Sequence, residues 1–234
     1  MVSQISRSPT ADSIEADHDV RTKKLHDIAL AWFSVNGRVF PWRSTRDPYQ
    51  ILVAEVCLQK TNAEKVVMIF DQIIDKYPNI TSLAAAKAED MREHFSRLGL
   101  FKRSNFLLQI AKTFVDRYDG IIPCDREALL MVKGIGDYTA NSVLSLAYGE
   151  RLPMLDGSTQ RVLARIFNKS IDKPAWANRT MRHFMYTILP DSGAREFNLA
   201  LIDIADKFCR PKKPKCSGCP LISVCLAATE LGRI

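Results

Sequence analysis

The chain has 234 residues, an apolar content of 47% and a formal net charge of +7 from 33 basic and 26 acidic residues. This length fits one large domain or two small ones, and the charge favours a polyanionic partner, although it also fits a solvated surface. The N-terminus has no apolar segment of the secretory type and no run of 18 apolar residues occurs, which argues against export and against a membrane span.

Helical periodicity dominates the chain from Thr22 onward, whereas residues 1–21 are polar and are predicted to be disordered or loosely attached. Successive helices are predicted within residues 24–37, 50–61, 63–77, 81–99 and 104–118. Apart from the short stretch 120–123, nothing indicates a strand. The pattern therefore predicts an all-α fold of roughly ten helices on short connections.

Glu55 is the single charged residue in the apolar stretch ILVAEVCLQ. Carboxylates are seldom fully buried unless they are paired. A partner arginine would give Glu55 a structural role, and a raised pKa would make it a candidate general acid. Cys57, in the same stretch, is predicted to belong to the helix core.

Residues 128–149 contain two helical patterns that flank the turn Lys133-Gly134-Ile135-Gly136. Glycines two apart permit a tight turn that residues with a Cβ would resist. The second helix would begin near Asp137 or Tyr138 and direct its unpaired amide groups at a phosphate. The alternative is a plain helix–helix turn.

Asp156 stands between an apolar lead-in and Gly157, directly before a helix predicted over residues 158–167. It could be an N-cap, which is the usual role of Asp at this place. It could also be a carboxylate at the mouth of a cleft.

Four of the six cysteines lie within residues 209–225, spaced Cys209-x6-Cys216-x2-Cys219-x5-Cys225. A cytoplasmic location disfavours disulfides. Structural zinc sites usually contain two close cysteine pairs, and only one is present here, so an iron–sulfur cluster is the stronger alternative and zinc remains open. The loop also carries four cations that suit phosphate contacts: Arg210, Lys212, Lys213 and Lys215. Cys124 is an additional loop thiol without a predicted role.

Taken together, these motifs over residues 22–228 resemble the helix–hairpin–helix DNA glycosylases of the endonuclease III superfamily, in its iron–sulfur branch. The cysteine spacing matches the cluster motif of that branch, so the resemblance implies one [4Fe–4S] cluster. It also implies that the turn Lys133, Gly134, Ile135 and Gly136 grips a DNA phosphate and that the cations of the cysteine loop lie on the DNA backbone.

In that family an Asp eighteen residues past a key helix position carries the chemistry, and here Asp156 stands in that relation to Tyr138. Members that also cleave the strand have Lys at the key position. Tyr138 therefore implies a monofunctional enzyme without strong AP lyase activity. Glu55 occupies the acidic position shared by the mismatch thymine–uracil glycosylases and the A/G-specific adenine glycosylases.

The resemblance leaves two substrates open. Thymine or uracil opposite guanine is favoured because Gly99-Leu100-Phe101 replaces the tyrosines usual in adenine enzymes, and because the chain stops nine residues after Cys225. Adenine in A·G or A·8-oxoguanine mismatches is the alternative. Two departures from both subfamilies are Ser158 at a usual Asn and Lys133 at a common Pro.

Gln59, Lys60 and Leu100 are candidates to fill the gap left by a flipped base or to contact the orphan guanine. Their structural alternative is helix surface for Gln59 and Lys60, and core for Leu100.

The resemblance further implies a six-helix barrel with the hairpin over residues 40–150, and a cluster lobe from residues 22–39 and 151–234. The active site would lie between these lobes. The expected partner is double-stranded DNA containing a mismatch, bound by a monomeric, nucleoid-associated protein that acts before an AP endonuclease. The rival interpretation is a non-catalytic DNA-binding iron–sulfur protein, but such a protein needs neither Glu55 nor Asp156.

Overall fold

A computed structural model of the chain describes residues 11–59, 61–96, 101–230 and 232. These residues form twelve α-helices and no strand, which confirms the predicted all-α class. In chain order the helices are α1 (Ala11–Asn36), α2 (Pro48–Leu58), α3 (Ala63–Lys76), α4 (Ile80–Ala84), α5 (Ala88–Ser96), α6 (Phe101–Tyr118), α7 (Arg126–Leu130), α8 (Asp137–Val143), α9 (Gly157–Ile166), α10 (Arg179–Thr187), α11 (Ala194–Lys207) and α12 (Leu226–Glu230). A search of the described residues finds no helix long and apolar enough to cross a bilayer.

The first helix begins at Ala11, so residues 11–21 are helical where the sequence predicted a disordered or loosely attached segment before the helical pattern. Local and tertiary contacts stabilise this part of α1, whose sequence has no apolar periodicity. Arg21 pairs with Asp17 one turn earlier at 2.8 Å and donates to the Val224 carbonyl at 2.8 Å. The His18 ring also lies 5.1 Å from the Phe167 ring. Residues 1–10 fall outside the described part.

The single helix predicted over residues 81–99 is two helices, α4 and α5. Asn79 starts α4 through a capping box, in which its side chain accepts from the Ser82 amide at 2.9 Å and the Ser82 hydroxyl faces back to the Asn79 amide. This reciprocal arrangement satisfies two amides that would otherwise lack partners.

The chain divides into two compact units. One comprises the segment up to Gly37, Gly157–Asp172 and the chain from Leu199 onward, and it holds the cysteine loop. The other comprises Arg38–Asp156 and Lys173–Asn198. The segment 173–198 thus groups with the predicted barrel residues and not with the predicted cluster segments. An active site between two lobes remains a prediction.

Helix α2 is the central element of the unit that contains Arg38–Asp156. Its residues Ile51 to Cys57 are all buried, and it packs on α3, α6 and α8. A helix that is apolar on every side belongs inside a core. Asp47 caps its first turn by accepting from the Tyr49 amide at 2.8 Å. This environment is what encloses Glu55.

The other unit is built from α1, α9, α12, most of α11 and the cysteine loop. Leu25 and Ala29 are fully buried on α1, and Leu201 and Ile204 are fully buried on α11. At the end of α11 the Phe208 ring meets the Trp32 ring edge-on at 6.0 Å. This packing fixes the point at which the cysteine loop begins.

Candidate active site and cysteine cavity

Glu55 is only 5% exposed within α2. The pKa of its carboxyl is raised to about 8, chiefly by burial and also by the charge of Asp156, while Arg43 and the Ser142 hydroxyl partly oppose this rise. A carboxyl of this kind is protonated at neutral pH and can donate a proton. The predicted general acid therefore has the protonation state that its role requires.

Tyr138 is the second residue of α8 and retains partial exposure, although its hydroxyl end is desolvated. That desolvation raises the pKa of the phenol well above its ordinary value, and the charges of Glu55 and Asp156 add to the effect. The phenol therefore stays neutral. Asp156 interacts electrostatically with Glu55, and both carboxyl groups interact with Tyr138. The structure therefore brings Glu55, Tyr138 and Asp156 together within one unit.

Sequence reasoning missed two further residues of this group, Arg43 and Ser142. Ser142 lies one helical turn after Tyr138 and is fully buried, so position i+4 on α8 was the available signal. Its hydroxyl lowers the pKa of both Glu55 and Tyr138, yet it makes no hydrogen bond of full geometry with any described residue. Arg195 donates to the Arg43 carbonyl at 2.6 Å and so anchors that backbone.

Asp156 follows an irregular segment that two buried asparagines hold in place. The Asn198 side chain donates to the Leu152 carbonyl at 2.9 Å and accepts from the Met154 amide at 3.1 Å. From the hairpin side, Asn141 donates to the Pro153 carbonyl at 2.8 Å. These amides satisfy backbone groups that have no sheet neighbour, as buried polar groups require. They also hold in place the chain segment that leads to Asp156.

We expect Asn198→Leu to lower the free energy of unfolding by about 3 kcal/mol, because it removes the side chain that bonds both the Leu152 carbonyl and the Met154 amide. Denaturant titration measures this loss. Base release from substrate should also slow in variant protein that is still folded, since the segment that positions Asp156 is no longer held in place.

Asn36→Ala is the matched control for Asn198→Leu. Asn36 is exposed and makes one local bond, to the Trp32 carbonyl at 3.2 Å, so its loss should change stability by no more than about 0.5 kcal/mol. Equal effects of the two changes would show that Asn198 does not hold the segment.

The predicted hairpin is formed by α7 and α8. Gly134 adopts a φ of +103°, in which other residues are strained, and a Cβ there would stand 3.3 Å from the Ile110 side chain. Gly136 instead has an ordinary φ of −100° and open space where a Cβ would be, so turn geometry does not explain this glycine. Lys133 is exposed beside the turn, and Ile135 is buried beneath it.

Gln59 is exposed at the end of α2, which agrees with either a surface role or contact with DNA. Arg103, which the sequence did not single out, donates to the Cys57 carbonyl at 3.2 Å and to the Thr61 hydroxyl at 2.9 Å. It thereby holds the Cys57 backbone and the Thr61 side chain, which lie on either side of Gln59 in the chain. Lys60 and Leu100 lie outside the described residues.

Cys209, Cys216, Cys219 and Cys225 line one cavity of about 180 Å³ in the other unit. Within the described ranges, no three or more His, Cys, Asp or Glu side chains stand close enough together to hold a single metal ion. The cavity is several times larger than the roughly 30 Å³ that a water molecule occupies in the liquid. Its donors are soft sulfurs, which suit iron–sulfur chemistry.

Arg161 and Arg165, one turn apart on α9, fasten the cysteine loop and were not predicted to do so. Arg165 donates to Cys209 Sγ at 3.2 Å and to the Arg210 and Pro211 carbonyls at 2.9 and 3.0 Å. Arg161 donates to the Cys209 carbonyl at 2.7 Å. These contacts hold the Cys209 end of the loop against α9.

The four cations of the loop are all exposed: Arg210, Lys212, Lys213 and Lys215. The two remaining cysteines differ from each other. Cys57 is fully buried, which agrees with its predicted core position, and burial raises the pKa of its thiol to about 12. Cys124 is exposed and faces Glu150 at 3.9 Å.

Comparison with known proteins places these features in one family. Residues 53–185 match the family model described as HhH-GPD superfamily base excision DNA repair protein, and this range includes the hairpin, Glu55, Tyr138 and Asp156. The chain belongs to the HhH-GPD superfamily of base excision DNA repair proteins. It is a DNA glycosylase, which confirms the predicted family and enzyme class.

Among its relatives, a thymine-DNA glycosylase of Aeropyrum pernix is 37% identical over 88% of this chain and 95% of its own length. An adenine DNA glycosylase of Buchnera aphidicola is 31% identical over 87% of this chain, which spans 59% of that protein.

Two solved structures share the fold. A thermostable thymine-DNA glycosylase superposes with a TM-score of 0.85 at 30% identity, over 91% of this chain and 99% of that one. Endonuclease III, in a non-covalent complex with DNA, has a TM-score of 0.78 at 21% identity, over 93% of this chain and 99% of that one.

Proposed function

We propose that this glycosylase hydrolyses the N-glycosidic bond of thymine or uracil mispaired with guanine in duplex DNA and leaves the strand intact. The observation that carries the substrate is the match over nearly the full length of both chains to a thymine-DNA glycosylase. The match to adenine glycosylases is weaker in identity and spans a smaller share of those proteins. Adenine opposite guanine or 8-oxoguanine is the second candidate.

The site residues fit a dissociative hydrolysis. Departure of the base leaves a sugar with positive character, and Asp156 supplies a fixed anion that stabilises it and orients the attacking water. The base must leave the helical stack to reach these groups. Glu55 then donates its proton or a hydrogen bond to the departing base, and Tyr138 packs against that base.

Tyr138 also accounts for the proposed absence of strong AP lyase activity. Strand cleavage of this type begins with an amine that forms an imine with the sugar. A phenol cannot form an imine, and burial keeps the Tyr138 phenol neutral. The reaction therefore ends with an abasic site, which an AP endonuclease would process next.

Base release should decline as the pH rises through about 8, because Glu55 is protonated below that value and loses the proton above it. Single-turnover rates measured from pH 6 to pH 10 on a T·G duplex test this expectation. On the falling limb of the profile, the rate should drop roughly tenfold per pH unit. Glu55→Gln should be slower throughout and lack this limb. A limb that persists in Glu55→Gln belongs to another group.

The substrate is tested by base release from four otherwise identical duplexes that contain T·G, U·G, A·G or A·8-oxoguanine, with a fully paired duplex as control. Hot alkali reveals abasic sites, and omitting the alkali reveals strand cleavage by the enzyme. We expect release from T·G and U·G only. Adenine release with T·G untouched would support the second candidate. No release from any duplex would support a non-catalytic DNA-binding protein.

We propose that Cys209, Cys216, Cys219 and Cys225 hold one [4Fe–4S] cluster. All four thiols line a single cavity, its volume exceeds the need of one ion, and Arg165 contacts one of the sulfurs. When bound, such a cluster would close the loop covalently through four iron–sulfur bonds. The chain's own contribution is to display the loop cations, since Arg161 and Arg165 hold its carbonyls.

Purified protein should contain about four irons per chain and absorb broadly near ~400 nm, as a cubane with four cysteine ligands requires. Metal analysis and the absorption spectrum measure this. Cys216→Ser should lose iron and lower the melting temperature, because ligation energy contributes to folding. Cys124→Ser, at an exposed thiol outside the cavity, should keep its iron. One zinc and no iron would contradict the proposal.

The expected partner is mismatched duplex DNA. We propose that the amides of the Gly134–Gly136 turn and the exposed loop cations contact its phosphates. The open space beside Gly136 leaves room for a phosphate to approach the backbone. A monomeric state and a nucleoid-associated cytoplasmic location stay predictions.

A further inference from the structure

Besides the cysteine cavity, a cavity with cationic side chains in its lining lies at the base of the hairpin, within the unit that holds Glu55. Its volume is about 270 Å³. The residues that line it include three arginines, one histidine and one tyrosine, and none of them is acidic: Arg126, Asn141, Leu152, Pro153, Arg179, Arg182, His183 and Tyr186. Neither the mechanism nor the sequence motifs make use of this cavity.

Two of the arginines are tied to the hairpin through Asp137, the first residue of α8. Arg126, at the start of α7, forms an ion pair with this carboxylate, and Arg182 reaches it at 3.2 Å. One carboxylate against the three guanidinium groups of the cavity leaves a net charge of +2. Asp137 therefore positions the cations without neutralising them.

Arg179 is the cation that is left to act on a ligand. It is exposed, and it makes no ion pair or hydrogen bond with any residue that the structure describes. Arg179, His183 and Tyr186 recur at i, i+4 and i+7, so they share one solvent-facing stripe of α10. Donors on such a stripe can converge on one anion.

The lining selects the chemistry of the ligand. Guanidinium groups bind phosphate through two parallel N–H bonds and are weakly hydrated, so they suit phosphate better than lysines do. The position selects the source, because the same hairpin carries the turn proposed to grip DNA. We propose that this cavity binds a phosphodiester of the DNA backbone, as a second contact beyond the Gly134–Gly136 turn. This inference rests on the DNA binding of the proposed function.

The test measures the affinity for an undamaged duplex at a series of salt concentrations, so that its outcome does not depend on base release. Each lost phosphate contact removes roughly 0.9 from the slope of log K against log salt. We expect Arg179→Ala to reduce the slope by about that amount and Arg179→Lys to retain most of it. Arg117→Ala is the matched control.

Arg117 suits this purpose because it is an exposed arginine of the same unit, lies outside the cavity and has no partner among the described residues. Its removal changes the net charge equally and should leave the slope unchanged. Equal slopes for Arg179→Ala and Arg117→Ala would reduce the effect to bulk charge and overturn the proposal.

Phosphate ethylation interference locates the contact. We expect at least one phosphate whose ethylation weakens binding of the wild-type protein and has no effect on Arg179→Ala. An identical interference pattern for both proteins would overturn the proposal, and would leave an acidic protein surface as the ligand class for this cavity. Failure to release thymine from T·G would contradict the proposed substrate and leave this result untouched.

Discussion

Asp156→Asn should slow base release by about 10²-fold or more, while affinity for the mismatched duplex persists. The substitution keeps the size of the side chain and removes its charge. A preorganised charge that faces the developing cation of the sugar is worth at least that factor in comparable sites. Single-turnover base release at saturating enzyme separates this rate from binding, which is measured independently on the same duplex.

Asp191→Asn is the matched control for Asp156→Asn. Its carboxylate is fully exposed and pairs with Arg151 at 3.4 Å, so the same chemical change falls on a surface residue of the same unit. An equal rate in Asp156→Asn and wild type would remove Asp156 from the mechanism and leave it as a helix cap. Loss of DNA binding together with the rate would assign it to folding or recognition.

The Asp156→Asn substitution should also change the titration of Glu55. The charge of Asp156 raises the pKa of the Glu55 carboxyl, so its removal should lower that pKa. The falling limb of the pH profile should then begin below pH 8, the value at which it is expected in the wild type. A limb that stays in place would show that burial alone governs the protonation of Glu55.

The sequence singled out the titratable residues of the candidate site but not all of the residues that surround them. Glu55 stood out because a charge within an apolar helix needs an explanation, and the structure gives it burial together with Arg43 and Ser142. Ser142 was accessible from helical spacing. Arg43 was not, because its proximity to Glu55 depends on how an irregular segment packs against α2, and no local pattern encodes that packing.

The cysteine loop shows the same division. The spacing of the four cysteines is visible in the sequence, and so is the position of the cations between them. The arginines that hold the loop come from α9, more than forty residues earlier in the chain. Arg161 and Arg165 there read as ordinary helix surface, since one-turn spacing is typical of any solvated face.

Helix ends were predicted less well than helix positions. The extension of α1 to Ala11 depends on Arg21 and His18, whose partners lie near the other end of the chain and directly after α9. Asn79 fixes the start of α4 by local capping, whereas α4 ends at Ala84 and α5 begins at Ala88 although the apolar periodicity is continuous. Tertiary contacts and caps thus decide boundaries that periodicity leaves open.

Tyr138→Lys should convert the enzyme into one that cleaves the strand after removing the base. The lysine amine would attack the abasic sugar at C1′ and form an imine, from which the strand breaks by elimination. Burial at this position favours the neutral, nucleophilic amine, whereas the charge of Asp156 favours the ammonium form, so cleavage should be fastest above neutral pH.

Two measurements detect this conversion: strand cleavage without alkali, and a covalent protein–DNA adduct after reduction with borohydride. Tyr138→Phe is the matched control, because it keeps the ring, has no amine and should give neither signal. A trapped adduct with the wild-type protein would overturn the monofunctional assignment. Lys133→Ala would then show whether the exposed lysine beside the hairpin is the nucleophile, because its removal should abolish that adduct.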